Sequence, residues 1–201
     1  SSPILEINRN TNTLSKLLPS SRVVNQINYV TNIVIEGNDM GIKETNFCTG
    51  ASASMYRDSF KDLSNKDQLK KMKEQISYKY PDNEAIALDF INLDPKYAAS
   101  DTLKASSSYK LLKVCKPVAG MHIFSLPWST ALDPSSFSMV EPRNFGIDLT
   151  QIFWNDLNKE QLNLTLPADK KLVEPLKSLS IDNEYFTYKL ASSDKENKIV
   201  I

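Results

Sequence analysis

Hydrophobic positions along the chain change their spacing near residue 80. In the stretch RVVNQINYVTNIVIEGNDMG, Val23, Ile27, Val30 and Val34 recur at helical intervals, with Ser20 or Ser21 placed to cap and Gly37 to stop. In the same stretch Tyr29, Thr31, Ile33 and Ile35 alternate as in a strand, and their β-branched density favours one. The combined reading is helix early and strand late. The clearest helix runs from Ser64 to about Tyr78: Leu69, Met72 and Ile76 share a face, and Ser64 followed by Asp67 forms a capping-box variant. Asp67 and Lys71 are spaced for an i,i+4 ion pair.

Beyond Pro81-Asp82-Asn83 the pattern shortens. Ala85–Leu93, Tyr109–Cys115, Met121–Leu126, Phe145–Trp154 and Gln161–Leu166 read as strands separated by turn residues. Leu162, Leu164 and Leu166 alternate with Gln161, Asn163 and Thr165, which predicts one wet face. Asn155–Glu160 reads as a hairpin connection, and Asp169–Leu179 as a short helix disturbed at Pro175. Tyr185–Leu190 and Ile199–Ile201 suggest a terminal hairpin. The expected fold is therefore α+β, an N-terminal arm and amphipathic helices followed by a β-rich antiparallel or mixed sheet. Residues 1–21, polar and ending in Pro-Ser-Ser, read as the arm, and residues 22–201 as one domain.

Composition narrows the function classes. The 24 basic and 24 acidic residues balance, so no global field draws in a phosphate backbone, and nucleic acid is not an expected partner. Lys66, Lys70, Lys71, Lys73 and Lys79 gather on the predicted helix, where a solvated face accounts for them. No run approaches the roughly 18 apolar residues of a membrane-spanning helix. Two cysteines, Cys48 and Cys115, are the disulfide candidates. Such a bond would close a loop of about 67 residues and stabilise by about 4 kcal/mol in the chain-entropy model. The alternative is a pair of buried thiols. Ser1 in place of Met fits a removed leader or a trimmed chain alike; a paired reading leads to the expectation of an extracytoplasmic protein, periplasmic or secreted, with the cytoplasm as the alternative.

Candidate chemistry is sparse. The five glycines form neither a dinucleotide-binding nor a P-loop pattern, and Cys48, Cys115 and His122 lack metal-ligand spacing, so no cofactor and no metal is expected. His122, the only histidine, stands between Met121 and Ile123 in a predicted strand and points away from both. If those two face the core, His122 faces solvent or a cleft. Asp and Glu are numerous, but no pair stands out by spacing.

Residues 116–145 interleave Pro117, Pro127, Pro134 and Pro142 with Phe124, Trp128, Phe137 and Phe145. Rigid turns carrying large apolar groups suit either a sheet core or a recognition surface. Trp128, Phe137, Trp154 and His122 are thus the candidate binding residues, and another protein the candidate partner. The expectation is a non-enzymatic exported binding or protein-interaction module. The alternatives are a hydrolase using carboxylates or the Cys/His set, and a structural subunit docking through residues 1–21.

Overall fold

A computed structural model of the chain describes residues 3–5, 14–16, 25–94, 96, 102–127, 157–174, 177–182, 187–195 and 198–201. Its centre is a long hairpin of β3 (Gln26–Glu36) and β4 (Asp39–Cys48). The connection is Gly37–Asn38, and Gly37 adopts a φ of +63°, which a two-residue hairpin loop needs and glycine supplies without strain. Two helices follow, α1 (Gly50–Phe60) and α2 (Asn65–Lys79), then β5 (Asn83–Ile91) and β6 (Leu103–Leu111). β6 pairs with β4, and β5 forms the sheet edge, with a bulge between Ala85 and Ala87.

On the other side of β3 the sheet is completed from far downstream. β9 (Leu157–Thr165) runs parallel to β3, and β13 (Lys198–Val200) pairs antiparallel with β9 and with β12 (Ser193–Lys195). The seven-stranded order is β12-β13-β9-β3-β4-β6-β5, so the chain is an α+β protein built on a mixed sheet. Three two-stranded ribbons stand apart from it: β1 (Pro3–Leu5) with β2 (Leu14–Lys16), β7 (Lys116–Val118) with β8 (Met121–Ile123), and β10 (Leu179–Asp182) with β11 (Thr187–Leu190). No helix among the described residues is long and apolar enough to cross a membrane.

Alternation along the strands decides what the helices cover. Ile27, Thr31, Ile33 and Ile35 of β3 are buried, as are Met40, Ile42, Asn46 and Cys48 of β4. Leu162 and Leu164 of β9 lie on the same face, as their spacing predicts. Ala53 of α1 packs with Ile27, Cys48, Leu103 and Ala105, whereas Ile76 and Tyr80 of the α2 end pack on the cluster around Ile33, Met40 and Leu111. The two helices are tied together by Gln68, whose Nε2 donates to the carbonyls of Phe60 at 3.0 Å and Leu63 at 3.2 Å.

The capping of α2 follows the sequence: the Ser64 hydroxyl accepts from the Asp67 amide at 3.3 Å and donates to the Asp67 carboxylate at 2.6 Å. The expected Asp67–Lys71 pair gives way, because Lys71 Nζ instead donates to the Ser59 carbonyl at 2.8 Å and lies over the Phe60 ring. Other expectations are corrected. The 26–36 stretch is strand rather than early helix, since it pairs on both edges. Residues 157–160 are not a hairpin connection but the start of β9. Residues 168–169 form a turn, closed by the Lys170 amide bonded to the Pro167 carbonyl, and 173–174 a bend, so 168–174 is not a helix. The terminal hairpin is β12 with β13, while Thr187–Leu190 pairs with β10. The predicted strand 145–154 lies outside the described residues, as does most of 1–21.

The cysteines do not pair; both are buried free thiols. Cys48 ends β4, whereas the Cys115 amide donates to the Asn38 carbonyl at the opposite end of that strand. Nine residues of extended chain separate the two ends by about 30 Å, against the roughly 7 Å limit for a disulfide. Intact-mass measurement should show two alkylation adducts when the protein is denatured without reductant. Finding none would place a disulfide in the protein and overturn this arrangement.

Candidate functional site

The covered face of the sheet is not uniformly apolar. Reading across the strands, Leu164, Ile33 and Ile42 form one row and Ile35, Met40 and Leu111 the next, with Ile27, Cys48 and Leu103 at the far end. Between these apolar ends lie two mixed rows. In one, Thr31 stands opposite Glu44 and Glu44 opposite Ser107; in the other, Glu160 stands opposite Tyr29 and Tyr29 opposite Asn46. This polar belt separates the two hydrophobic clusters.

A cavity of about 290 Å³ opens above the belt, between the sheet and the helix pair. Glu44, Asn46, Ser107 and Tyr109 line its floor, Tyr56 and Phe60 come from α1, and Met72, Gln75, Ile76 and Lys79 come from α2. Phe90 on the edge strand adds a tilted ring, its centroid 5.1 Å from that of Phe60, which in turn stacks with Tyr56 at 6.2 Å between centroids. The space is close to the small end of ligand pockets and combines apolar walls with a few convergent polar groups, the usual makeup of such sites.

The polar groups of the floor are interlocked. Asn46 Nδ2 donates to Glu44 Oε1 at 2.9 Å and to the Tyr56 hydroxyl at 3.1 Å, and Glu44 also shares a hydrogen bond with Tyr109. Four buried side-chain oxygens find no partner among the described residues, and two of them, Asn46 Oδ1 and Thr31 Oγ1, belong to the belt. Burial raises the Glu44 carboxyl above its ordinary range, opposed by the hydrogen bond from Asn46 and assisted by the Glu160 charge. Burial likewise holds the hydroxyls of Tyr29, Tyr56 and Tyr109 far above the usual tyrosine range, so all three are neutral donors. The floor therefore offers the Glu44 carboxyl to the cavity, while the unpartnered Asn46 Oδ1 is closed off from solvent.

Of the residues singled out by sequence, Trp128, Phe137 and Trp154 lie outside the described residues. His122 is in β8, paired with Pro117, and is exposed. Its neighbours Met121 and Ile123 are exposed too, because the β7–β8 ribbon stands off the main sheet and neither side chain reaches the core. The cysteines are poor nucleophiles: burial, then the Glu44 charge, pushes the Cys48 thiol up to about 12, and burial raises Cys115 as well. An activated thiol requires the opposite shift. Among the described residues no three of His, Cys, Asp and Glu come together as a metal-binding group.

Sequence reasoning passed over Glu44, Asn46, Tyr56 and Tyr109. A local signal existed in Met40, Ile42, Glu44, Asn46 and Cys48, which alternate on one face of β4 and so place a carboxylate in line with core residues. Tyr56 and Tyr109 reach the same point only through the fold. Comparison of the chain with protein-family models, with curated proteins and with solved structures finds no match.

Two outcomes follow for stability. Because folding raises the Glu44 pKa, the folded state favours its protonated form; the associated stability is full below the ordinary glutamate value of about 4.3 and is lost as pH rises through the folded value. Glu44→Gln, which mimics the protonated form, should melt near the parent at pH 4 and progressively above it toward pH 7. A melting difference independent of pH would contradict the shift. Thr31→Val replaces an unpartnered hydroxyl with a methyl group and should stabilise by about 1 kcal/mol in urea unfolding; a clear loss of stability would show that Oγ1 has a partner.

Proposed function

We propose that the protein is a non-enzymatic binding module whose ligand site is the cleft between the α1–α2 pair and the sheet. The observation that carries this reading is the position of the polar belt: Glu44 and Asn46 occupy core-facing positions of a central strand, yet open onto a cavity instead of being sealed under the helices. A buried polar row of this kind destabilises a fold unless it is paired, and Asn46 Oδ1 remains unpaired. A ligand supplying a donor to Glu44 from the cavity would extend the pairing of the belt.

The chemistry of the cleft supports binding over turnover. Its hydroxyls and the nearby Cys48 thiol are held protonated, and His122 lies on an exposed ribbon, so the Cys/His hydrolase reading has no support from placement. Free, buried Cys48 and Cys115 remove the disulfide argument for an exported setting.

The test is ligand retention. The purified protein is incubated with a small-molecule extract of its source, and retained compounds are compared by mass spectrometry with two cleft-filling variants: Ser107→Tyr on the floor and Gln75→Trp at the exposed mouth. At least one compound should be retained by the parent and lost, by roughly tenfold or more, from both variants that still melt cooperatively. Equal retention by all three proteins would overturn the reading.

A further inference from the structure

We infer that the cleft takes an organic ammonium group, seated against the Glu44 carboxylate and walled by the rings of Tyr56, Phe60, Tyr80, Phe90 and Tyr109. This rests on the cleft being the ligand site and concerns what chemistry it selects. The floor presents no cation: Glu44, Asn46, Ser107 and Tyr109 line it, and the Glu160 charge bears on Glu44 from the adjoining row. The negative faces of aromatic rings attract cations, and a carboxylate backed by several rings suits an ammonium better than a neutral or anionic group.

Two of these rings already show the preference within the protein. Lys71 Nζ lies 5.1 Å from the Phe60 centroid and Lys79 Nζ 5.5 Å from that of Tyr80. Both lysines belong to α2, on the helix side of the cleft. Lys79 is exposed at the mouth and is the one basic residue in the described lining. Its charge opposes an entering cation from that side, which makes it a second handle on the sign of the ligand. The cavity, about 290 Å³, admits a small alkylammonium with its hydrocarbon against Met72, Ile76 and Leu88.

The probes are choline and its uncharged carbon isostere 3,3-dimethylbutan-1-ol, with n-butylammonium as a primary amine. Each is titrated into the parent, Glu44→Gln and Lys79→Gln at low salt near pH 7, and binding is read by NMR shifts of cleft methyl groups and by calorimetry. One or both ammonium probes should bind the parent at least about tenfold more tightly than the alcohol. Glu44→Gln, which keeps the side-chain shape, should abolish that margin, and Lys79→Gln on the surface should tighten ammonium binding severalfold. Equal affinity for alcohol and ammonium, or unchanged ammonium affinity in Glu44→Gln, would overturn the inference. If neither ammonium binds while Ser107→Tyr still blocks retention of some other compound, the ammonium assignment falls and the cleft remains the ligand site. If nothing is retained, both fall.

Discussion

β3 is hydrogen-bonded along both edges, to β4 over ten residue pairs and to β9 over nine, and that double pairing fixes the register of everything around it. With both neighbours set, the pleat leaves no choice about which side chains face the helices. Ile27, Tyr29, Thr31, Ile33 and Ile35 go one way, and Asn28, Val30, Asn32 and Val34 the other. A one-residue slip on β4 would turn Glu44 and Asn46 outward and bring Lys43 and Thr45 in, burying a cation in their place. Register here is held by the apolar ends of the strands, and the polar belt is carried along between them.

The belt is tolerable because its cost is small beside what flanks it. Each buried Ile, Leu or Met side chain contributes roughly 1.5–3 kcal/mol, and Ile33, Met40, Ile42, Leu103, Leu111, Leu162 and Ile199 are all fully buried or nearly so. An unpartnered acceptor costs about 1–3 kcal/mol. Two such atoms in the belt, with the Asn28 and Asn83 Oδ1 atoms elsewhere in the sheet, leave the fold intact while leaving a local demand for hydrogen-bond donors. The helices add a constraint of their own. Gln68 locks α2 onto the end of α1, and Arg57, buried on α1, donates from Nε to the Asn92 carbonyl at 3.1 Å, so the helix pair is anchored to the loop after β5. The cleft walls are consequently set by the same contacts that hold the fold.

Where the sequence carried its own local chemistry, the fold could be read from it. Ser64 and Asp67 announce α2, and Leu162 and Leu164 announce the buried face of β9, because a cap and a period of two need no distant partner. α1 has neither signal. Its N-terminus is capped from a distance, by Asn25 Oδ1 accepting from the Ala51 amide at 3.0 Å, and its buried positions include Gly50, Ser52 and Arg57, which no hydrophobic pattern marks. Over 23–35 the helical and strand periods coincide, and only pairing with β4 and β9 decides between them. The cleft was still less legible. Glu44 and Tyr109 are 65 positions apart, and their hydrogen bond exists only because β4 and β6 are neighbours in the sheet.

The parallel pairing of β3 with β9 also has a consequence in time. Asn163 Nδ2 reaches Asn32 Oδ1 at 3.0 Å across a separation of 131 residues. Strands β3 to β6 and both helices lie within residues 26–111 and join through antiparallel neighbours, so they can assemble from comparatively local contacts. The equilibrium penalty for the long closure is modest, since loop entropy grows by only about 0.6 kcal/mol per doubling of length. The delay is the larger effect. Until β9 docks, the outer edge of β3 presents a row of unpaired amides and carbonyls from Gln26 to Val34, the kind of edge on which chains stick to one another. The strand that organises the finished sheet is thus the most adhesive part of the unfinished one.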